Sequence, residues 1–130
     1  MASLFTKIVN GEIASHKIDE DEFFFAFLDI NPLVEGHVLV IPKKETDYIF
    51  DLDDETYKGL WSFAKRIASA IEKAVPCKRV GIAVIGLEVP HTHVHLVPLN
   101  VMNDINFSKP KLNPSSEQLA LMAVRIKKQL

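Results

Sequence analysis

The sequence holds a single cysteine, Cys77. A lone thiol excludes an internal disulfide and a thiolate-rich zinc cluster, and it suits a reducing compartment. Five glycines are present, and nowhere do they build a glycine-rich phosphate loop. No apolar run approaches the roughly 20 residues a membrane-spanning helix needs. The opening MASLFTKIVNGEI has no basic segment followed by an apolar stretch. An excess of one charge is also missing: 15 Lys and Arg stand against 17 Asp and Glu, with both signs mixed along the chain. No positive field is therefore available to draw in a nucleic-acid backbone by counterion release. The expectation is a soluble cytoplasmic protein with no membrane and no polymeric nucleic acid among its partners. Apolar residues, by contrast, make up 48% of the 130. That suffices for one domain, residues 1–130, around one core.

Ser3 is suited to cap one or two helical turns reaching Val9, which the Asn10-Gly11 pair then ends. Lys17 to Asp21 is charged and reads as a turn. Phe23 to Leu28 is dense in aromatics and reads as a buried strand, ended by Asp29-Ile30-Asn31-Pro32. Gly36 introduces a second strand, His37 to Ile41, stopped by Pro42. A long helix is predicted from Asp53 or Asp54, with Tyr57, Leu60, Trp61, Ala64, Ala68, Ile71 and Val75 at helical spacing, and Pro76 stops it. Arg79 to Ile85 and Thr92 to Leu99 read as the arms of a hairpin. A last helix, capped by Ser115 or Ser116, carries a stripe of Leu119, Met122, Ala123, Ile126 and Leu130. This order predicts an α+β domain: an antiparallel sheet with one long helix packed on it, then a C-terminal helix.

The run His91-Thr92-His93-Val94-His95 lies on the returning arm of the hairpin. In a strand alternate side chains share a face, so three imidazoles point the same way from attachment points about 7 Å apart. A solvated strand face has no need of three histidines, and Pro90 and Pro98 frame the run. One reading is a zinc site, with three ring nitrogens holding an ion that keeps an open position for water. Another is covalent catalysis. Neutral imidazole is a nucleophile near physiological pH, and neighbouring like charges discourage full protonation of the group. Attack on phosphorus by one ring gives a phosphorus–nitrogen intermediate that water then breaks, while adjacent protonated rings bond the phosphate oxygens. A plain solvated histidine face is the third reading.

These motifs resemble those of the histidine-triad superfamily of nucleotide-binding hydrolases and transferases. The similarity extends to Phe23–Pro32, to Gly36-His37-Val-Leu-Val-Ile-Pro42-Lys43-Lys44 and to the opening Leu4–Ile13, and so covers about residues 3–100 in three ordered segments. Residues 101–130 lie outside it. The resemblance implies that His93 is the nucleophile, that His95 binds the phosphate and assists the leaving group, and that His91 and His37 orient the rings. It further implies that Asp29 holds the ribose hydroxyls and that Phe27 and Ile30 line the nucleoside pocket of a purine nucleotide substrate. A homodimer whose sheet continues across the subunit boundary is also implied. The activity implied is cleavage of nucleoside 5'-phosphoramidates or dinucleoside polyphosphates, with no cofactor required. The alternative is a nucleotide-binding regulatory protein with little turnover.

The chain departs from the superfamily in two places. Many bacterial relatives hold a structural zinc with two cysteines near the start and a histidine after Pro-Lys-Lys, and here Ser3, Thr6 and Glu45 stand in those positions. Hydroxyls and a carboxylate replace thiolates and imidazole poorly, so no structural metal is expected. Relatives also carry polar residues just before the histidines, where this chain has Leu87 and Glu88. A Glu88 carboxylate facing the phosphate side repels phosphate unless a proton or cation intervenes, and a Glu88 turned to solvent does not.

Overall fold

The computed structural model describes residues 2–130. Its centre is a sheet of five antiparallel strands: β1 (Lys17–Glu20), β2 (Phe24–Leu28), β3 (Val38–Pro42), β4 (Arg79–Ala83) and β5 (Val94–Leu99), in the spatial order β1-β2-β3-β5-β4. β2 and β3 are buried at every position, because the sheet is covered on both faces. Strand alternation then sorts the side chains. Ala26, Leu28, Val38, Val40, Val94 and Leu96 belong to one apolar cluster, while Phe25, Phe27, Leu39 and Ile41 form a second with Phe5.

The first cluster is closed by the long helix α2 (Asp54–Ala74) and the C-terminal helix α3 (Ser116–Lys127). The Asp53 carboxylate caps α2 by accepting the Thr56 N–H, and Asp54 and Glu55 in its first turn complement the helix dipole. Ser115 and Gln118 form a capping box on α3. Arg125 then donates from α3 to the Ala74 carbonyl at 2.6 Å, satisfying a terminal acceptor of α2. The second cluster lies under α1 (Leu4–Val9), which Ser3 caps through the Thr6 N–H. The α+β class, the antiparallel sheet with a long helix packed on it and the C-terminal helix all agree with the sequence reading.

Four local expectations are corrected. Lys17–Asp21 is largely a strand rather than a turn: Ile18 is buried, while Lys17 and Glu20 face solvent and pair with each other at 2.9 Å. An edge strand that inserts one side chain into the core has a loop's charge pattern. The buried face of α2 includes Phe63, Ile67 and Ala70, leaving Tyr57, Trp61 and Ala68 half-buried at its flank, because the helix is covered by α3 as well as by the sheet. β5 begins at Val94 rather than Thr92, since both the Thr92 N–H and its hydroxyl donate to the Thr46 carbonyl instead of joining the ladder. Leu130 lies beyond the end of α3 and is exposed, so it drops out of the apolar stripe.

One glycine sets the entry to the site. Gly36 has φ +90°, and a Cβ there would lie 2.9 Å from Val75 Cγ2 and 3.2 Å from Pro98 Cγ. Only glycine meets both the backbone angle and the space. This turn delivers His37 to the start of β3.

Candidate active site

The four histidines predicted to act together are brought together. His91, His93, His95 and His37 are all buried, on the sheet face shared with Phe5 and Phe27. The rings of His93 and His95 lie 5.0 Å apart, and those of His95 and His37 lie 5.2 Å apart. β5 carries His95 opposite Leu39 of β3 and Ala83 of β4, and the irregular residues just before it carry His91 and His93.

The hydrogen-bond partners assign each neutral ring its tautomer, because a backbone carbonyl only accepts and a backbone N–H only donates. His93 Nδ1 lies 2.7 Å from the His91 carbonyl, so it carries the proton and leaves Nε2 with its lone pair. His37 Nδ1 accepts the Leu33 N–H at 3.1 Å, so its Nε2–H donates to His95 Nδ1 at 3.0 Å. The proton of His95 therefore sits on Nε2. Side by side, the geometry offers an unprotonated nitrogen on His93 and an N–H donor on His95.

His91 serves as a strut. Its Nε2–H donates to the Pro42 carbonyl at 2.8 Å, which makes Nδ1 an acceptor for the Ser3 hydroxyl, also at 2.8 Å. The Thr6 hydroxyl donates to Glu45 at 2.8 Å, and the Ser3 N–H donates to the same carboxylate oxygen at 2.5 Å. These two bonds hold the Glu45 carboxyl below its usual range although it is exposed. Ser3, Thr6, Glu45 and His91 thus satisfy one another as a hydrogen-bonded latch between α1 and β3. Both nitrogens of His91 are engaged in it, so the three histidines of the run do not converge as a ligand set for zinc. The group that does approach metal-ligand spacing is Asp29, His37 and His95, one donor atom from each lying within 4.8 Å of the others. His37 and His95 are already joined to each other by a hydrogen bond.

Burial is the leading reason both linked rings are hard to protonate: it lowers His37 to about 3 and His95 to about 4, with neighbouring positive charges adding to the effect. Burial lowers His91 as well. Burial pushes the Asp29 carboxyl up, against a hydrogen bond from the Asn31 N–H. Asp29 lies 3.8 Å from His37 Nε2. Phe27 is buried, edge-on to Phe5 at 5.5 Å, while Ile30, next to Asp29 in sequence, is 59% exposed. Glu88 is exposed, yet its charge still reaches Asp29.

Two cavities flank the histidines. One of about 380 Å³ reaches His93 and Thr92 between residues 47–50 and the β4–β5 connection. The other, about 620 Å³, reaches Asp29 and His37 from the side walled by α3. The sequence reading missed Phe5, whose ring stands 4.9 Å from that of His93, and Phe107, which stands 4.9 Å from His95. Phe5 lies within the opening segment Leu4–Ile13 that carries the resemblance. Phe107 belongs to the stretch outside the resemblance and carried no signal.

A HIT domain match spans residues 10–102, and the chain belongs to that family. It is 34% identical over 131 residues to an uncharacterized HIT-like protein of Borreliella burgdorferi, covering 95% of this chain and 94% of that one. It is 38% identical over 98 residues to an adenosine 5'-monophosphoramidase of Saccharomyces cerevisiae, covering 75% of this chain and 62% of the yeast protein. Among solved structures, a Hit-like protein from Bartonella henselae superposes with a TM-score of 0.87 at 29% identity, over 98% of this chain and 96% of that one.

The two depressed rings predict an acid limit to stability. An unfolded histidine titrates near 6.5, so below that pH the unfolded chain takes up protons that the folded His37 and His95 refuse. Stability is then fully present above about pH 6.5 and falls progressively toward pH 4, by up to about 1.4 kcal/mol per pH unit for each ring. Thermal unfolding followed from pH 7.5 to 4.5 should show this decline, with a shallower slope in His37→Asn. A melting temperature that is flat across the range contradicts the assignment of two buried neutral rings.

Proposed function

We propose that this HIT-domain protein cleaves nucleoside 5'-phosphate derivatives, either phosphoramidates or dinucleoside polyphosphates, through a nucleotidyl intermediate on His93. The observation that carries the reading is the pairing of an unprotonated His93 Nε2 with a His95 ring whose Nε2–H is free to donate. His93 Nε2 attacks the α-phosphorus, a phosphorus–nitrogen bond forms, and the bond to the leaving group breaks with its electron pair going to the leaving atom. A phosphate beside His95 favours the charged form of that ring: a proton taken up with the substrate occupies Nδ1 as the His37 Nε2–H bond gives way, and the Nε2–H then becomes the acid that protonates the leaving atom. Water then attacks the same phosphorus and gives a proton to His95, and the phosphorus–nitrogen pair returns to His93. As positive charge spreads onto the His93 ring, its Nδ1–H bond to the His91 carbonyl strengthens. In this reading Asp29 accepts the ribose hydroxyls, and Phe5, Phe27 and Ile30 offer an apolar surface to a purine.

A binding protein with little turnover is the second reading, and Leu87 and Glu88 favour it, since neither offers a donor to a phosphate oxygen. Release of AMP from adenosine 5'-phosphoramidate, measured with a chelator present and alongside AMP affinity, separates the two. Turnover that survives the chelator and falls by about 10³-fold or more in His93→Ala, with AMP affinity retained, supports the nucleophile. AMP binding without turnover in wild type overturns it in favour of the binding protein.

The same reading includes a homodimer joined through β4, one of the sheet's two edge strands, together with the long helix α2. Ile82 and Ile85 beside that edge, with Leu87, Tyr48 and Phe50 near it, are all large, apolar and exposed. Sedimentation velocity at micromolar concentration should give a species of twice the chain mass, and Ile82→Lys should shift it to the monomer. A wild-type monomer under those conditions contradicts the proposed assembly.

A further inference from the structure

The stretch between β5 and α3 passes over the histidines and is pinned on both sides of them. The Phe107 ring packs edge-on against His95 at 4.9 Å. Five residues later the Leu112 N–H donates to the Pro32 carbonyl at 2.9 Å, tying the chain to the loop that begins at Asp29. Between these anchors, the Asn106 side chain accepts the Ser108 N–H at 2.9 Å and the Asn106 carbonyl accepts the Lys109 N–H at 3.3 Å, which fixes the turn. Lys111 immediately precedes the second anchor, so its backbone is held next to the loop that joins Asp29 to His37. The side chain is exposed, and among the described residues it enters no ion pair. Its charge nevertheless bears on Asp29, His37 and His95 together.

That cation stands where the site is short of positive charge. The connection before the histidines supplies Leu87 and Glu88, and burial keeps His37 and His95 neutral. We propose that Lys111 is a specificity-determining contact to the leaving group, selecting substrates that release a phosphate-bearing group through oxygen over those that release a neutral amine. This inference rests on the nucleotide-cleaving reading above and deepens it. When the bond from the α-phosphorus to a bridging oxygen breaks, the electron pair goes to that oxygen, and negative charge builds there ahead of full proton transfer from His95. The departing phosphate then gains negative charge beside His95, where an ammonium offsets it. An amine leaves neutral and gains nothing from a nearby cation.

The test compares kcat/KM for diadenosine triphosphate and for adenosine 5'-phosphoramidate in wild type, Lys111→Met and Lys111→Arg, with His93→Ala as the baseline. Calorimetric affinities for ADP and for adenosine are measured on the same preparations. Lys111→Met should lose about tenfold or more on the triphosphate and less than about threefold on the phosphoramidate, with Lys111→Arg recovering most of the loss. ADP affinity should fall in Lys111→Met while adenosine affinity holds. Lys111 is exposed, so all three proteins should melt together; a common loss on both substrates, with or without a lowered melting temperature, overturns the inference. Unchanged discrimination in a Lys111→Met protein that still binds ADP overturns this inference alone. Failure of the wild type to bind ADP or adenosine overturns the nucleotide-site reading and this inference with it.

Discussion

The backbone N–H of Leu33 donates to Nδ1 of His37, and the chemistry of the site depends on that one bond. It forces the His37 proton onto Nε2, which must then be given to His95 Nδ1, which in turn places the His95 proton on the outward nitrogen. A backbone amide cannot reverse its role as a side chain can, so the polarity of the chain is fixed from one end. The His91 carbonyl fixes His93 in the same manner and with the opposite result. Two adjacent histidines of one run are thereby given complementary roles by main-chain groups. Gly36 is the structural condition for this, since its positive φ and lack of a side chain let the loop fold back so that His37 meets Leu33.

The sheet holds these groups in place by separating its two faces. Val94 and Leu96 point into the core beneath α2 and α3, and His95 between them points to the other face, beside Leu39. A slip of one residue in the pairing of β3 with β5 would bury the imidazole in that core, so packing enforces the register of the site. The strut at His91 completes the frame. Ser3, Thr6 and Glu45 connect α1 to the end of β3 through ordinary hydrogen bonds, in the positions where many bacterial relatives place metal ligands. A neutral acceptor on His91 and a carboxylate near a helix start are mutually satisfied by hydroxyls and backbone N–H groups, without leaving a buried polar atom of this set unpaired.

Much of the fold was legible because its signals are local. The apolar runs of β2 and β3, the caps at Ser3, Asp53 and Ser115, and Pro76 after α2 each act within a few residues. β1 was not legible, because its single buried residue, Ile18, is surrounded by the charges of an edge strand. In the site, His37, His91, His93 and His95 were visible as a spacing and as a resemblance. Their protonation was not, since it is decided by carbonyls and amides that carry no sequence signature. Ser3, Thr6 and Glu45 were noticed only for the metal ligands they are not. Phe107 and Lys111 were invisible because their proximity to His95 comes from a turn and two anchors some distance along the chain.

The most direct measurement of the central claim is the tautomeric state of each histidine ring, read at pH 7 from side-chain nitrogen–proton correlation spectra of the isotopically labelled protein. The account predicts His93 with its proton on Nδ1, and neutral His37, His91 and His95 protonated at Nε2. A His93 ring protonated at Nε2, or a His37 ring protonated at Nδ1, would contradict it, because the nucleophile and the donor would then have exchanged or lost their roles.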